Sequence, residues 1–283
     1  MNGVLVRSLV LTTVLFERSG TAAGAPPDLL LFPGLRKCFW TIVGTHLTLL
    51  PCVVQSLVQL KLLSHLHLAS AVHLIPSCLI PLTPRLEHLA LVGATLHGDD
   101  FGALVSLGWP MLMTLVLSAT SYLPHETGFV VKANSIVTLP CLANLFLDRF
   151  PPGVDFIGFF EQLPLLYRLT ILDISEPPSV INAGLFSQLT SLRAPIALAR
   201  AVVPICHIEY LHIVGSHQMN EPHSFHFLYG RGFATLICEY GFRMEHLPYL
   251  LFDPLLNVHH TVIIKKLIVN PVGISPLMNS QST

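Results

Sequence analysis

Charge is what this sequence has least of. Asp, Glu, Lys and Arg make up 11% of its 283 residues, against about 25% in an average soluble domain. The two signs nearly balance, at a formal net charge of -1, so no strong field draws the chain to nucleic acid or to an acidic membrane. Polybasic runs are missing: Arg36-Lys37 and Lys265-Lys266 are the nearest approach and are too short to form a patch. No nucleic-acid partner is expected. CxxC pairs are missing as well. Cys38, Cys52, Cys78, Cys141, Cys206 and Cys238 stand at wide, uneven gaps, sparser than in disulfide-stapled scaffolds. They read as reduced, small hydrophobes of a cytoplasmic or nuclear protein.

The signatures of common active sites are absent too. Gly230-Arg231-Gly232 lacks the third glycine of a phosphate-cradling loop, and no GxSxG elbow or HExxH helix occurs. Asp99-Asp100 suits a helix cap better than a pair of catalytic carboxylates. Cys206 and His207 are sequence neighbours, which does not make a nucleophile and its base. Neither an active site nor a cofactor is expected, and the chain reads as something other than an enzyme.

What the sequence has in quantity is apolar surface. Hydrophobic residues are 52% of the chain and mean hydropathy is +0.65, enough for a large core. Cys38 to Leu60 and Leu62 to Pro84 carry no charge, and each reaches the roughly 20 residues that span a bilayer. The second contains His65, His67, His73, Pro76, Pro81 and Pro84, which suit a lipid-facing helix poorly. A membrane role is therefore the weaker reading. At the N-terminus, Arg7, the apolar run Ser8 to Phe16 and the small residues Ala23-Gly24-Ala25 outline a secretory signal. Glu17 and Arg18 directly after the run speak against it, and the alternation of Val4, Val6, Leu11 and Val14 suits a buried strand.

One phrase recurs: apolar, two variable residues, apolar, one variable residue, apolar. It stands at Leu63-Leu66-Leu68, Leu86-Leu89-Leu91, Leu112-Leu115-Leu117, Leu142-Leu145-Leu147 and Leu166-Leu169-Ile171. Later copies are Ile208-Leu211-Ile213 and Ile264-Leu267-Val269, and a degenerate one starts at Leu192, with Pro195 in the second apolar place. Most intervals fall within the roughly 20–29 residues of leucine-rich repeats. The apolar-x-apolar pair makes a short strand whose alternate side chains share one face, and stacked copies bury an apolar column that no single copy could bury alone. Pro84, Pro110, Pro140 and Pro164 each stand two residues before an anchor, where proline would end the return segment and set up the strand. The spacing of Phe156, Phe159, Phe160 and Leu163 suits a helix in one return segment, and the stretch from Asp99 to Trp109 suits another. After the strands, small residues (Ala69-Ser70, Ser118-Ala119) occupy places where regular repeats put Asn or Cys.

LFPGLRKCFW at Leu31 to Trp40, LGWPMLMTLVL at Leu107 to Leu117 and LPCLANLFLDRF at Leu139 to Phe150 resemble the degenerate leucine-rich repeats of fungal F-box-type proteins. The resemblance covers roughly residues 30 to 215. It implies an irregular α/β leucine-rich-repeat solenoid, a horseshoe of about seven to nine repeats. It also implies a role in recognising substrates for ubiquitin ligation, with protein partners such as the substrate or the ligase subunits. Residues 1 to 30 do not carry the pattern of F-box helices. The expected organisation is an N-terminal segment or cap over 1–29, a solenoid over 30–270 and a disordered tail over 271–283. Aromatics crowd the region after residue 216, as a terminal cap would require.

The fifteen histidines raise a metal reading. His65 and His67 share a strand face, His223 and His226 sit three apart, and His259-His260 are adjacent. No acidic or cysteine ligand stands at a metal-binding spacing from these pairs, so no metal is expected. What remains is a surface. The variable residues flanking the apolar pairs would line the concave strand face: His65 and His67, His88 and Ala90, Thr114 and Val116, Asn144 and Phe146, Arg168 and Thr170, and Tyr210 and His212. Phe146 and Tyr210 are expected to be exposed there, and aromatic and Arg side chains are frequent anchors of protein interfaces. A generic scaffold without a ligase link, a membrane-associated or secreted apolar protein, and a gene fragment without function are the alternative readings.

Overall fold

The computed structural model describes residues 6–14, 16–18, 21–23, 29–43, 50–70, 75–97, 100–123, 139–178, 180–182, 184–214, 227–228, 233–238 and 267–269. The first strands are β1 (Ser8–Val14), β2 (Phe16–Arg18), β3 (Thr21–Ala23), β4 (Lys37–Val43) and β5 (His65–Ser70). Next come β6 (His88–Val92), β7 (Thr95–His97), β8 (Thr114–Ser118), β9 (Ser121–Leu123) and β10 (Asn144–Arg149). The last are β11 (Arg168–Asp173), β12 (Ser191–Pro195), β13 (Tyr210–Val214), β14 (Thr235–Cys238) and β15 (Leu267–Val269). Among the described residues four short helices join them: α1 (Leu50–Val58), α2 (Asp100–Val105), α3 (Phe156–Glu161) and α4 (Ile196–Val202). Segments Leu29–Leu31 and Pro76–Leu82 are 3-10 helices.

Eleven strands form one open sheet in the order β1-β4-β5-β6-β8-β10-β11-β12-β13-β14-β15, and every neighbouring pair is parallel. Strands β2 and β3 form a small antiparallel pair, and β7 and β9 a small parallel one. The register sets like residues side by side. Leu66, Leu89, Leu115, Leu145, Leu169, Leu192 and Leu211 make one row, and all are buried.

Each anchor leucine closes a turn. The Leu112, Leu142 and Leu166 N–H groups donate to the carbonyls of Trp109, Leu139 and Leu163, at 3.5, 3.2 and 3.2 Å. Pro110, Pro140 and Pro164 thus hold the second place of a four-residue turn, where a fixed φ favours the bend. From there two successive N–H groups share the carbonyl of the residue just before the neighbouring strand. Met113 and Thr114 donate to Glu87, Ala143 and Asn144 to Met113, and Tyr167 and Arg168 to Ala143. The same pair of bonds recurs from Arg36 and Lys37 on Arg7 to Ala234 and Thr235 on Glu209.

The register adds strands that the leucine phrase did not announce. Leu35-Cys38-Trp40 is a full copy, with Cys38 beside Leu66 and Trp40 beside Leu68. Its Pro33 stands two residues before the anchor, and Leu35 donates to the Phe32 carbonyl at 3.0 Å. It lies within the Leu31–Trp40 segment that resembles a degenerate repeat, with Cys and Trp in the leucine places. In the N-terminal segment, whose alternation suits a strand, β1 extends the same sheet, with Leu9 beside Cys38. Phe233-Leu236-Cys238 supplies β14. The copy at Leu192 is corrected by one place. Leu192 lies opposite Leu169 and Leu211, so it is the second apolar residue, Leu189 the first and Ala194 the third. Pro195 ends the strand rather than standing within the phrase.

The core lies on the face where the chain returns. Val54 and Leu57 of α1, Phe101 and Leu104 of α2, and Leu198 and Val202 of α4 are buried there. The Asp155 side chain caps α3 by accepting the Ile157 N–H at 3.1 Å. Phe156, Phe159 and Phe160, expected on one helical face, pack with Phe150 and Phe186 at ring-centroid distances from 5.1 to 6.3 Å. Asp100 opens α2, as a helix-start residue should, while Asp99 lies outside the described residues. Among the described residues no helix is long and apolar enough to cross a membrane. The uncharged stretch Leu62 to Pro84 instead holds β5 and the second 3-10 helix, where Pro76 and Pro81 withhold the N–H groups of an α-helix. Ile264, His223, His226, His259, His260 and the expected tail over 271–283 lie outside the described residues.

Candidate functional site

A parallel sheet is ordinarily covered on both faces. Here the second face carries half-buried and exposed side chains from β4 to β12, while at β13 His212 and Val214 are buried. The register gathers the expected surface residues into two adjacent rows of that face. One row runs Lys37, His65, His88, Thr114, Asn144, Arg168, Ser191, Tyr210. The other runs Phe39, His67, Ala90, Val116, Phe146, Thr170, Arg193, His212.

Chemistry changes along the rows. At the β4 end the His67 ring lies 5.7 Å from Phe39, centroid to centroid. The His65 and His88 rings stack at 4.0 Å with 22° between their planes. In the middle the Asn144 amide Nδ2 donates to Thr114 Oγ1 at 3.2 Å. Arg168 holds its guanidinium carbon 5.4 Å from the Tyr167 ring centre, a cation–π contact. Tyr210 is 38% exposed, as expected. Two placements differ from expectation. Phe146 is half-buried among its row neighbours, and His212 is buried and so withdrawn from the surface.

Three exposed hydrophobics join the face or its edge without having been foreseen. Val10 and Phe39 face each other in register at 74% and 40% exposure, and Tyr167 precedes β11 at 42%. The signal for Phe39 was Pro33, two residues before Leu35, which marks the repeat that contains it.

The histidine pairs also gain a neighbour that spacing along the chain did not show. Glu87 lies 22 residues from His65 in sequence, but the β5–β6 register brings it to the stacked rings. Side-chain ligand atoms of His65, Glu87 and His88 all lie within 4.8 Å of one another. The Ser64 hydroxyl is 2.8 Å from His65 Nδ1. Burial lowers the His65 pKa below its usual value, with His88 and Lys37 acting the same way and Glu87 opposing them. Burial also lowers that of His88, Glu87 again opposing and Lys37 adding to the fall. Both imidazoles therefore favour the neutral, lone-pair-bearing form at neutral pH.

No protein-family model matches the sequence, and comparison with curated proteins returned no match. The function is argued from the face itself.

Proposed function

We propose that the chain is an irregular leucine-rich-repeat solenoid whose second sheet face, half-buried to exposed from β4 to β12, binds protein. In this reading it serves as the substrate-recognition part of an F-box-like ubiquitin-ligase assembly, and the chemistry belongs to partner enzymes. The observation that carries the architecture is the recurring pair of N–H groups on one carbonyl from each strand to the next, the hydrogen-bond counterpart of a sequence repeat. What favours a protein partner is the composition of the face. It combines Phe39, Tyr210, half-buried Phe146 and the Tyr167–Arg168 pair with little charge, and aromatic and Arg residues dominate interface hot spots.

A second reading is an interaction solenoid with no ligase link, which the same face would serve equally. Affinity purification of the tagged chain from its native cell, with mass spectrometry, separates the two. Recovery of ligase adaptor and scaffold subunits supports the first. Recovery of a different protein, lost on Phe146→Ala while the variant stays folded, supports the second. Recovery that is unchanged by Phe146→Ala and Tyr210→Ala removes the face from the account.

A further inference from the structure

We propose that His65, His88 and Glu87 form a binding site for a divalent transition-metal cation of the zinc, nickel and copper class, on the open face between β5 and β6. Two imidazole nitrogens and one carboxylate are donors that this class accepts well, whereas magnesium and calcium prefer all-oxygen sites. The inference is independent of what protein the face binds.

The backbone sets the three groups in place. The N–H groups of Glu87 and His88 both donate to the Ser64 carbonyl, at 2.9 and 3.0 Å. That tie fixes the entry of β6 against the residue preceding His65. His65 and His88 are then register partners with rings stacked at 4.0 Å. The Ser64 hydroxyl, 2.8 Å from His65 Nδ1, is an outer partner of the kind that orients a metal-binding imidazole: where it accepts the Nδ1 proton, Nε2 is left as the donor atom.

All three side chains are half-buried, so they are held by the sheet yet free to turn. Zinc ligands lie about 2.0–2.2 Å from the ion, so the donors must draw closer than the 4.8 Å that now bounds them, parting the stacked rings by small side-chain rotations. Lys37, the register partner of His65, is the opposing charge, and Glu87 offsets it. Three protein donors leave a place for water or for a group on a docked molecule.

The test is calorimetric titration of the full chain with zinc chloride, paired with cobalt absorption spectroscopy. One site is expected, weakened about tenfold or more by His65→Gln, His88→Gln or Glu87→Gln, in line with losses on disturbing a metal site. Lys37→Ala should tighten it by removing the opposing charge, and the cobalt spectrum should lack a thiolate charge-transfer band. Binding unchanged in the three ligand variants, or a thiolate band from cysteine ligation, would overturn the proposal. Circular dichroism checks each variant. Should the histidine variants unfold, Lys37→Ala still decides, since unchanged or weaker zinc binding there counts against the site.

Discussion

Asp148 of β10 accepts a hydrogen bond from the Ser118 hydroxyl at 3.1 Å and another from the Ala119 backbone N–H, at the end of the neighbouring strand β8. Ala119 sits at φ 50°, a left-handed conformation that costs an alanine. Regular repeats satisfy such a turn with an Asn of their own; here the next repeat supplies a carboxylate.

Asp148→Ala should therefore cost about 1–2 kcal/mol of unfolding free energy, the range for hydrogen bonds to a charged acceptor reduced for the exposure of Ala119. Asp148→Asn, which keeps an acceptor oxygen, should cost less. Urea denaturation of the three proteins checks this, and equal losses for both variants would show that charge rather than hydrogen bonding matters.

Leu115 tests the shared column. It is 1% exposed and lies between Leu89 and Leu145. Leu115→Ala should lower stability by about 2–5 kcal/mol through lost burial and a residual cavity. Leu115→Asp buries an unpaired charge and should give an unfolded or aggregated chain by circular dichroism and size-exclusion chromatography. A monodisperse, cooperatively melting Asp variant would refute the packing described.

Trp109 is 1% exposed, and its indole N–H donates to the Leu104 carbonyl at 2.7 Å, closing the end of α2. Trp109→Phe keeps most of the apolar volume but leaves that carbonyl only the longer bond from the Leu107 N–H, at 3.4 Å. The expected loss is about 1–3 kcal/mol, read as a lower denaturation midpoint. A neutral result would mean that the Leu107 N–H, or water, satisfies the carbonyl without the indole.

The stacked histidines predict a pH response. The folded pKa of both His65 and His88 lies below the usual 6.5, so protonation favours the unfolded chain. Their contribution to stability is present above pH 6.5 and is lost as pH falls through the depressed folded values. Glu87 opposes the shift and Lys37 adds to it. Thermal melts at descending pH should show a decline that is shallower in the His65→Gln, His88→Gln double variant. A decline of equal slope would assign the acid sensitivity elsewhere.

Burial pushes the Cys38 thiol up to about 11. Since the thiolate is the reactive form, Cys38 should resist alkylation in the native protein at mildly alkaline pH, while half-buried Cys78 and Cys141 react sooner. Peptide mapping after brief iodoacetamide treatment reads the order directly. Early modification of Cys38 would contradict its place in the buried row.

Much of this was legible before any coordinates. Leu86-Leu89-Leu91 and its kin repeat because each strand must present alternate apolar side chains to one core, and Pro110, Pro140 and Pro164 mark the turns before them. Where other apolar residues fill the same pattern, as in Leu35-Cys38-Trp40 and Val6-Leu9-Leu11, burial tolerates the exchange and the written phrase fades. The copy around Leu192 was misplaced by one apolar position because Pro195, which ends the strand, stood where a leucine was sought.

Local periodicity thus determined which side chains face inward, because the alternation of a strand is a property of the chain alone. Pairing between distant segments was decided only in three dimensions. The β5–β6 register set Glu87 beside His65, hydrogen bonding across repeats gave Asp148 to Ser118, and packing around β13 withdrew His212 from the surface. Such contacts depend on which strand lies next to which and in what register, and residues far apart in sequence carry no local signal of that choice.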